Sequence, residues 1–186
     1  MNEAQIIADC IRKKPKAQEI LFKEYAPYIY TVCRRYETIE YFADDCLQDV
    51  FIKIFEKLNQ YNANKGSLKN WMTRISINHA LNKIRSQKIE WKPLDDCDEL
   101  TLSKDLSEDE TDLYTNITEE ALLDHIAKLP KGYKTVFNLY VIDAHSHAEI
   151  AQKLNISTST SKSQLFKART MLRKMITTKV SSNYGA

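Results

Sequence analysis

Apolar residues recur three and four apart along almost the whole of this chain, and no run alternates apolar with polar for long enough to make a strand. Three glycines and four prolines in 186 residues leave little of the turn chemistry that hairpins need. One stretch escapes the helical spacing. "DDCDELTLSKDLSEDETD" (residues 95–112) is acidic and rich in Ser and Thr, with Leu its only large apolar residue. Such a composition buries too little to offset the entropy lost on ordering. The expected fold is therefore all-α: two small helical domains joined by an acidic, flexible linker.

Breakers and caps set the expected boundaries. Helices are predicted over about 3–13, 15–37, 41–60 and 67–88 in a domain covering 1–89. "ANKGS" (63–67) separates the last two, with Ser67 as a cap. A linker over 90–117 follows, in which Leu94, Leu100, Leu102 and Leu106 are candidates for docking on a groove. The second domain, 118–180, is predicted to hold helices over about 118–128, 131–142, 146–154 and 158–177, and the tail 181–186 is expected to fray.

The net charge of +2 conceals an uneven distribution. Residues 1–89 carry 15 Lys and Arg against 10 Asp and Glu; residues 90–120 carry 2 against 12; residues 121–186 carry 10 against 3. Two basic blocks flanking an acidic one suit two modules that meet a polyanion through a linker that does not. No apolar run approaches a membrane span, and "MNEAQIIADCIRKK" is too polar for a signal peptide. The four cysteines include no CxxC pair, so reduced thiols in the cytoplasm are expected, with no metal and no cofactor.

Residues 157–173 carry the most specific chemistry. At about 100° per residue, Ser161, Leu165, Ala168 and Leu172 form a core stripe, Thr160, Ser163, Gln164 and Lys167 a hydrogen-bonding face, and Lys162, Arg169 and Arg173 a third edge within reach of phosphates. Ile150, Ala151 and Leu154 form a short amphipathic helix upstream, and "NIS" (155–157) a tight turn. This is the pattern of a helix-turn-helix, whose second helix enters the major groove near its amino terminus. Ser157 or Thr158 then caps free amides, while Ser159, Thr160 and Ser163 bond phosphates or base edges. Gln164 suits adenine, and Lys167 guanine or phosphate.

In the amino-terminal half, "DDCLQDVFIKIFEKL" (44–58) sets Leu47, Val50, Phe51, Ile54 and Leu58 on a buried stripe. Asp45, Gln48, Asp49 and Lys53 remain outside as a polar face suited to docking on another protein. The next helix interleaves Trp71 with Lys69, Arg74, Lys83, Arg85 and Lys88, which suits single-stranded DNA, although its spacing to Ile75 also suits Trp71 to a core.

These segments resemble the extracytoplasmic-function group of sigma-70 factors over nearly the whole chain. "DDCLQDVFIKIFEKL" is similar to the D-x-x-Q-[ED]-[VT]-F segment of region 2, and "SLKNWMTRISINHALNKIR" to its F-x-x-W-[LM]-x-x-I-[AS]-x-N continuation. "LPKGYKTVFNLYVIDAHSHAEIAQKLNISTSTSKSQLFKARTMLRK" resembles region 4. The resemblance implies that Asp45, Gln48, Asp49, Phe51 and Lys53 bind the RNA polymerase core through its beta and beta-prime subunits. It implies that Asn62, Asn64, Lys65, Lys69, Trp71, Arg74, Asn78 and Arg85 recognise and open the −10 element, with an extruded base held near 62–69. Thr158, Ser159, Thr160, Lys162, Ser163, Gln164, Lys167 and Arg169 would read the −35 element as duplex, and an anti-sigma factor is a further implied partner.

Four positions depart from the family pattern: Ser159 stands for Gly, Ser161 for Val, Gln164 for Arg and Leu68 for Phe. Ser161 puts a hydroxyl on the core stripe, where a local backbone bond is the expected outcome. A classical repressor or activator would need a ligand pocket, phospho-acceptor site or dimer helix in residues 1–89, which the docking and basic helices fit poorly. An enzyme acting on a small substrate has only Asp44-Asp45 and His145-x-His147 to draw on, and the two aspartates project about 100° apart on a helix. The acidic linker is expected to occupy the polymerase's nucleic-acid channel, to shield the basic modules before assembly, or to serve as a solvated tether.

Overall fold

The computed structural model describes residues 2–37, 39–87, 91 and 118–183, and among these there is no strand. The chain divides into two compact units, residues 1–87 and 88–186. The linker leucines and Cys97 lie outside the described residues.

In the amino-terminal module, α1 (Glu3–Ile11), α2 (Pro15–Tyr36), α3 (Glu40–Lys57) and α4 (Leu68–Ser86) follow the expected order. Asn2 caps α1, its Oδ1 accepting from the Gln5 amide at 2.8 Å. Lys13 takes φ 58°, reversing the chain so that Pro15, which lacks a donor to waste, can open α2. Helices α2, α3 and α4 pack on one another, and α1 lies on α2. Leu21, Ile29, Val50, Ile54, Leu58, Leu68 and Met72 fill the centre. Leu68, where Phe is frequent in the family, is 1% exposed and belongs to that core. Cys10, Cys33 and Cys46 are free thiols and buried.

Helix α3 ends at Lys57, and a short 3-10 turn (Leu58–Gln60) completes the segment predicted as helix to residue 60. A second such turn, Ala63–Lys65, ends at Gly66 with φ 139°, a conformation L side chains rarely adopt. The Ser67 hydroxyl then accepts from the Asn70 amide at 3.2 Å and starts α4, as its sequence position requires.

In the carboxy-terminal module, α5 is Glu119–Ala127, α6 Lys131–Phe137, α7 His147–Leu154 and α8 Thr158–Asn183. Ile126, Leu129, Val136, Phe137, Leu139, Ile150, Leu154, Leu165, Ala168 and Leu172 form the core. Residues 138–142, expected as more α-helix, form instead a wider π turn, closed by the Asp143 amide donating to the Asn138 carbonyl at 2.9 Å. That turn leaves Tyr140, Val141 and Ile142 exposed. Helix α8 continues through Asn183, and the rest of the tail lies outside the described residues.

Candidate nucleic-acid interface

The short helix α7 begins with a reciprocal cap: the Ser146 hydroxyl serves the Glu149 amide, and the Glu149 carboxylate accepts from the Ser146 amide at 2.8 Å. It ends at Asn155, whose φ of 56° turns the chain back, so that the Ile156 amide donates to the Ala151 carbonyl at 3.1 Å. Ser157 then caps α8, accepting from the Thr160 amide at 2.9 Å. Its hydroxyl also meets Ser159 Oγ at 2.7 Å and Thr160 Oγ1 at 2.8 Å. The hydroxyl cluster is thus a self-satisfied helix start, which holds the first turn of α8 ready-made.

Along α8, Ser161, Leu165, Ala168 and Leu172 are buried as their spacing requires. The expected hydrogen-bonding face is only partly on the surface. Ser163 and Gln164, expected to bond DNA, are 1% and 2% exposed. Ser163 donates to the Thr160 carbonyl at 2.9 Å. Gln164 turns towards Gly132 at the first turn of α6, where the missing side chain makes room for its amide. The open face is the third edge: Ser159, Lys162 and Thr170 are exposed, and Phe166, Arg169 and Arg173 are partly so. Thr158 is exposed beside them, while Thr160 and Lys167 are half-buried. Phe166 was not singled out from the sequence, although its position between Lys162 and Arg169 on the same face was readable.

Ser161 resolves one departure from the family pattern. Its hydroxyl meets Nδ1 of His147 at 2.9 Å, a partner on another helix rather than its own backbone. The imidazole stacks on Tyr140 with ring centroids 4.5 Å apart. Burial first, then the charges of Lys162 and Arg169, hold His147 below its ordinary pKa.

On α4, Trp71, Arg74, Asn78 and Arg85 share a stripe about 60° wide. Arg74, Asn78 and Arg85 are exposed, and Trp71 is half-buried against Tyr61, with ring centroids 5.7 Å apart. Lys69 stands apart from them: it projects about 160° from Trp71, and its ammonium lies 4.0 Å from the centroid of the Tyr28 ring. The loop before α4 is built rather than slack. Asn62 Oδ1 accepts from the Asn64 amide at 2.9 Å, Tyr61 donates its hydroxyl to the Gly66 carbonyl at 3.2 Å, and Asn62, Asn64 and Lys65 are exposed. Tyr61 thus braces this face and Tyr28 the opposite side of α4, and neither was a sequence candidate.

On α3, Asp45, Gln48 and Asp49 are exposed, but Phe51 is not. It is 3% exposed and packs on Phe22 with ring centroids 4.6 Å apart, on the buried stripe read from spacing. Lys53 is half-buried and donates to Nδ1 of His79, whose Nε2 faces Asp49 Oδ2 at 3.5 Å. The exposed face also contains Tyr41, Phe42 and Ile52, apolar residues missed in the sequence. Ile52 lies off the buried spacing of 47, 50, 51, 54 and 58, which was the available signal.

One module carries a helix-turn-helix, and the other an exposed cationic, aromatic stripe on α4 and an exposed face of acids, amide and apolar side chains on α3. The sequence comparisons agree: the profile of sigma-70 region 2 matches residues 21–89, and that of sigma-70 region 4 matches residues 119–172. The chain belongs to the sigma-70 family, and its relatives are extracytoplasmic-function factors. It is 28% identical over 159 residues to the ECF RNA polymerase sigma factor SigW of Bacillus subtilis, covering 82% of this chain and 84% of that one. It is 24% identical over 168 residues to the ECF RNA polymerase sigma-E factor of Haemophilus influenzae, covering 87% and 88%. Among solved structures it is similar to the sigma factor RpoE of Bartonella quintana, crystallised with the anti-sigma factor NepR, at 15% identity and a TM-score of 0.49, over 86% of this chain and 96% of that one. The protein is a transcription initiation factor that directs RNA polymerase to promoters.

Proposed function

We propose that the two modules divide promoter recognition between them, the amino-terminal one (1–89) opening the −10 element and the carboxy-terminal one (118–180) reading the −35 element as duplex. The observation that carries this reading is the exposed stripe Trp71, Arg74, Asn78 and Arg85 on α4, in a module separate from the helix-turn-helix. Rings beside cations suit unstacked bases and their backbone. The loop carrying Asn62, Asn64 and Lys65 stands ready to take an extruded base, whose unstacking costs a few kcal/mol that a fitted pocket must return. In α8, Thr158, Ser159, Lys162, Phe166, Lys167 and Arg169 face the duplex, with Thr160, Ser163 and Gln164 supporting the helix start and its packing. Lys69 contributes from the opposite side of α4, by holding Tyr28.

The exposed acids and amide of α3, together with Tyr41, Phe42 and Ile52, form the surface for the beta and beta-prime subunits of the polymerase core. Apolar residues left exposed among charged ones are the usual mark of such docking. The same patch, with Tyr140, Val141 and Ile142 of the other module, is suited to an anti-sigma factor. The protein makes no bond itself; the polymerase supplies the chemistry, in the cytoplasm, and this factor supplies binding free energy. Run-off transcription with purified core polymerase on a pool of genomic fragments tests the assignment. Discrete start sites sharing two upstream motifs are expected, and permanganate reactivity of thymines should appear only at the nearer motif. Initiation without a shared motif, or reactive thymines at the farther one, contradicts it.

A further inference from the structure

Cys33, in the last turn of α2, and Cys46, in the second turn of α3, are each 1% exposed. Their side chains meet within hydrogen-bonding reach across the two packed helices, and His79 of α4 reaches the Cys46 sulfur as well. Promoter recognition as derived above uses neither thiol.

The two sulfurs are not equivalent. The bond from Cys33, and after it His79, holds the Cys46 thiol below its ordinary pKa, although burial opposes this. The same bond, then burial, pushes Cys33 up, so the shared proton stays on Cys33. Cys10 is the contrast: burial, then Asp9, raises its thiol, which stays protonated and inert. Cys46 is thus a nucleophile with a second thiol already in place to resolve it. Burial restricts the oxidant. A sulfur 1% exposed admits a molecule close to water in size and excludes a bulky disulfide such as oxidised glutathione.

We propose that Cys33 and Cys46 form a reversible disulfide in response to hydrogen peroxide or another small hydroperoxide, and that the disulfide weakens the hold of α3 on the polymerase core. The Cys46 thiolate attacks one peroxide oxygen; an S–O bond forms, the O–O bond breaks, and the hydroxide released takes a proton to become water. The Cys33 sulfur then attacks the Cys46 sulfenic acid, and the displaced hydroxide leaves as water with the Cys33 proton. Two thiols lose two electrons, and one peroxide becomes two waters.

The effect on docking rests on the role proposed above for α3; the disulfide itself does not. Its sulfurs must stand about 2 Å apart, closer than any hydrogen bond between them, so α3 is drawn towards α2. Cys46 lies between Asp45 and Gln48, both exposed on the docking face. Oxidation also takes from His79 the thiolate it faces, and His79 meets Lys53 and Asp49 of that same face.

The folded full-length chain is treated with hydrogen peroxide or with oxidised glutathione, then alkylated and digested for mass spectrometry. A peptide cross-linked between Cys33 and Cys46 should form with peroxide, vanish with dithiothreitol, and be absent with oxidised glutathione. Cys33→Ser should trap sulfenic acid at Cys46, read with dimedone, and His79→Gln should slow the reaction about tenfold. In run-off assays after peroxide removal, oxidised wild type should need about tenfold more factor than reduced wild type, and Cys46→Ser should be indifferent to the treatment. Linkage through Cys10 or Cys97 instead, or equal oxidation by oxidised glutathione, overturns the site. A complete Cys33–Cys46 disulfide with an unchanged factor requirement overturns its effect on docking. No initiation by the reduced chain sinks the promoter function and the docking effect together, while the cross-linked peptide alone decides the disulfide.

Discussion

Ser161 shows how a single side chain reads differently alone and in place. A hydroxyl on a core stripe suggests a bond to its own helix, but its partner is His147, contributed by the helix before the turn. Ser161→Ala removes that partner without removing the imidazole, and should cost about 1 kcal/mol of stability in urea unfolding. His147 also sets a pH dependence. Its folded-state pKa is depressed, by burial first and then by Lys162 and Arg169. The unfolded chain therefore takes up the proton first, so the stability it contributes is present above its ordinary value of 6.5 and is lost as pH falls through the folded one. His147→Gln should flatten that part of the stability curve between neutral pH and pH 5, read by thermal unfolding at each pH. Phe51 needs no such change, because helical spacing already pointed to the core.

Helix by helix, the legible part was large. Among the described residues, the order and approximate starts of the eight α-helices were readable, because caps such as Ser67 and Ser157, and breakers such as Pro15 and Pro130, act within a few residues of themselves. The π turn after Phe137 was not, since nothing local distinguishes it from more helix. Faces were legible where they follow angle alone: Trp71, Arg74 and Asn78 share one, and Lys69 is about 160° from Trp71. On α3 the exposed face is more apolar than the acid pattern suggested. Ile52 is 57% exposed, so Ile52→Glu should leave helicity by circular dichroism unchanged while weakening binding to core polymerase at least about tenfold, the loss of one interface anchor. Trp71→Ala tests the other docking face. It should retain closed-complex formation but weaken the opened complex by about 1–3 kcal/mol, read as loss of permanganate reactivity.

For the molecule as a whole, charge is distributed so that both modules are basic and the segment between them is not. Promoter affinity should accordingly fall steeply with salt, because each phosphate neutralised releases counterions. Lys162→Ala with Arg169→Ala should reduce the magnitude of the log–log salt slope by about two, and weaken all promoters alike if these residues meet phosphate rather than bases. What the sequence determined by itself was the helical class, the division into two modules and the stripe of core residues on each helix. These follow from a 3.6-residue period and from one stretch too polar to pack, both of which are local properties. Only the tertiary structure decided which polar side chains of α8 remain outside. Gln164 is covered because Gly132, 32 residues earlier, leaves space for it, and Ser161 is satisfied because His147 arrives from another helix. Such choices depend on what a distant segment places opposite a residue, and no periodicity within one helix records that.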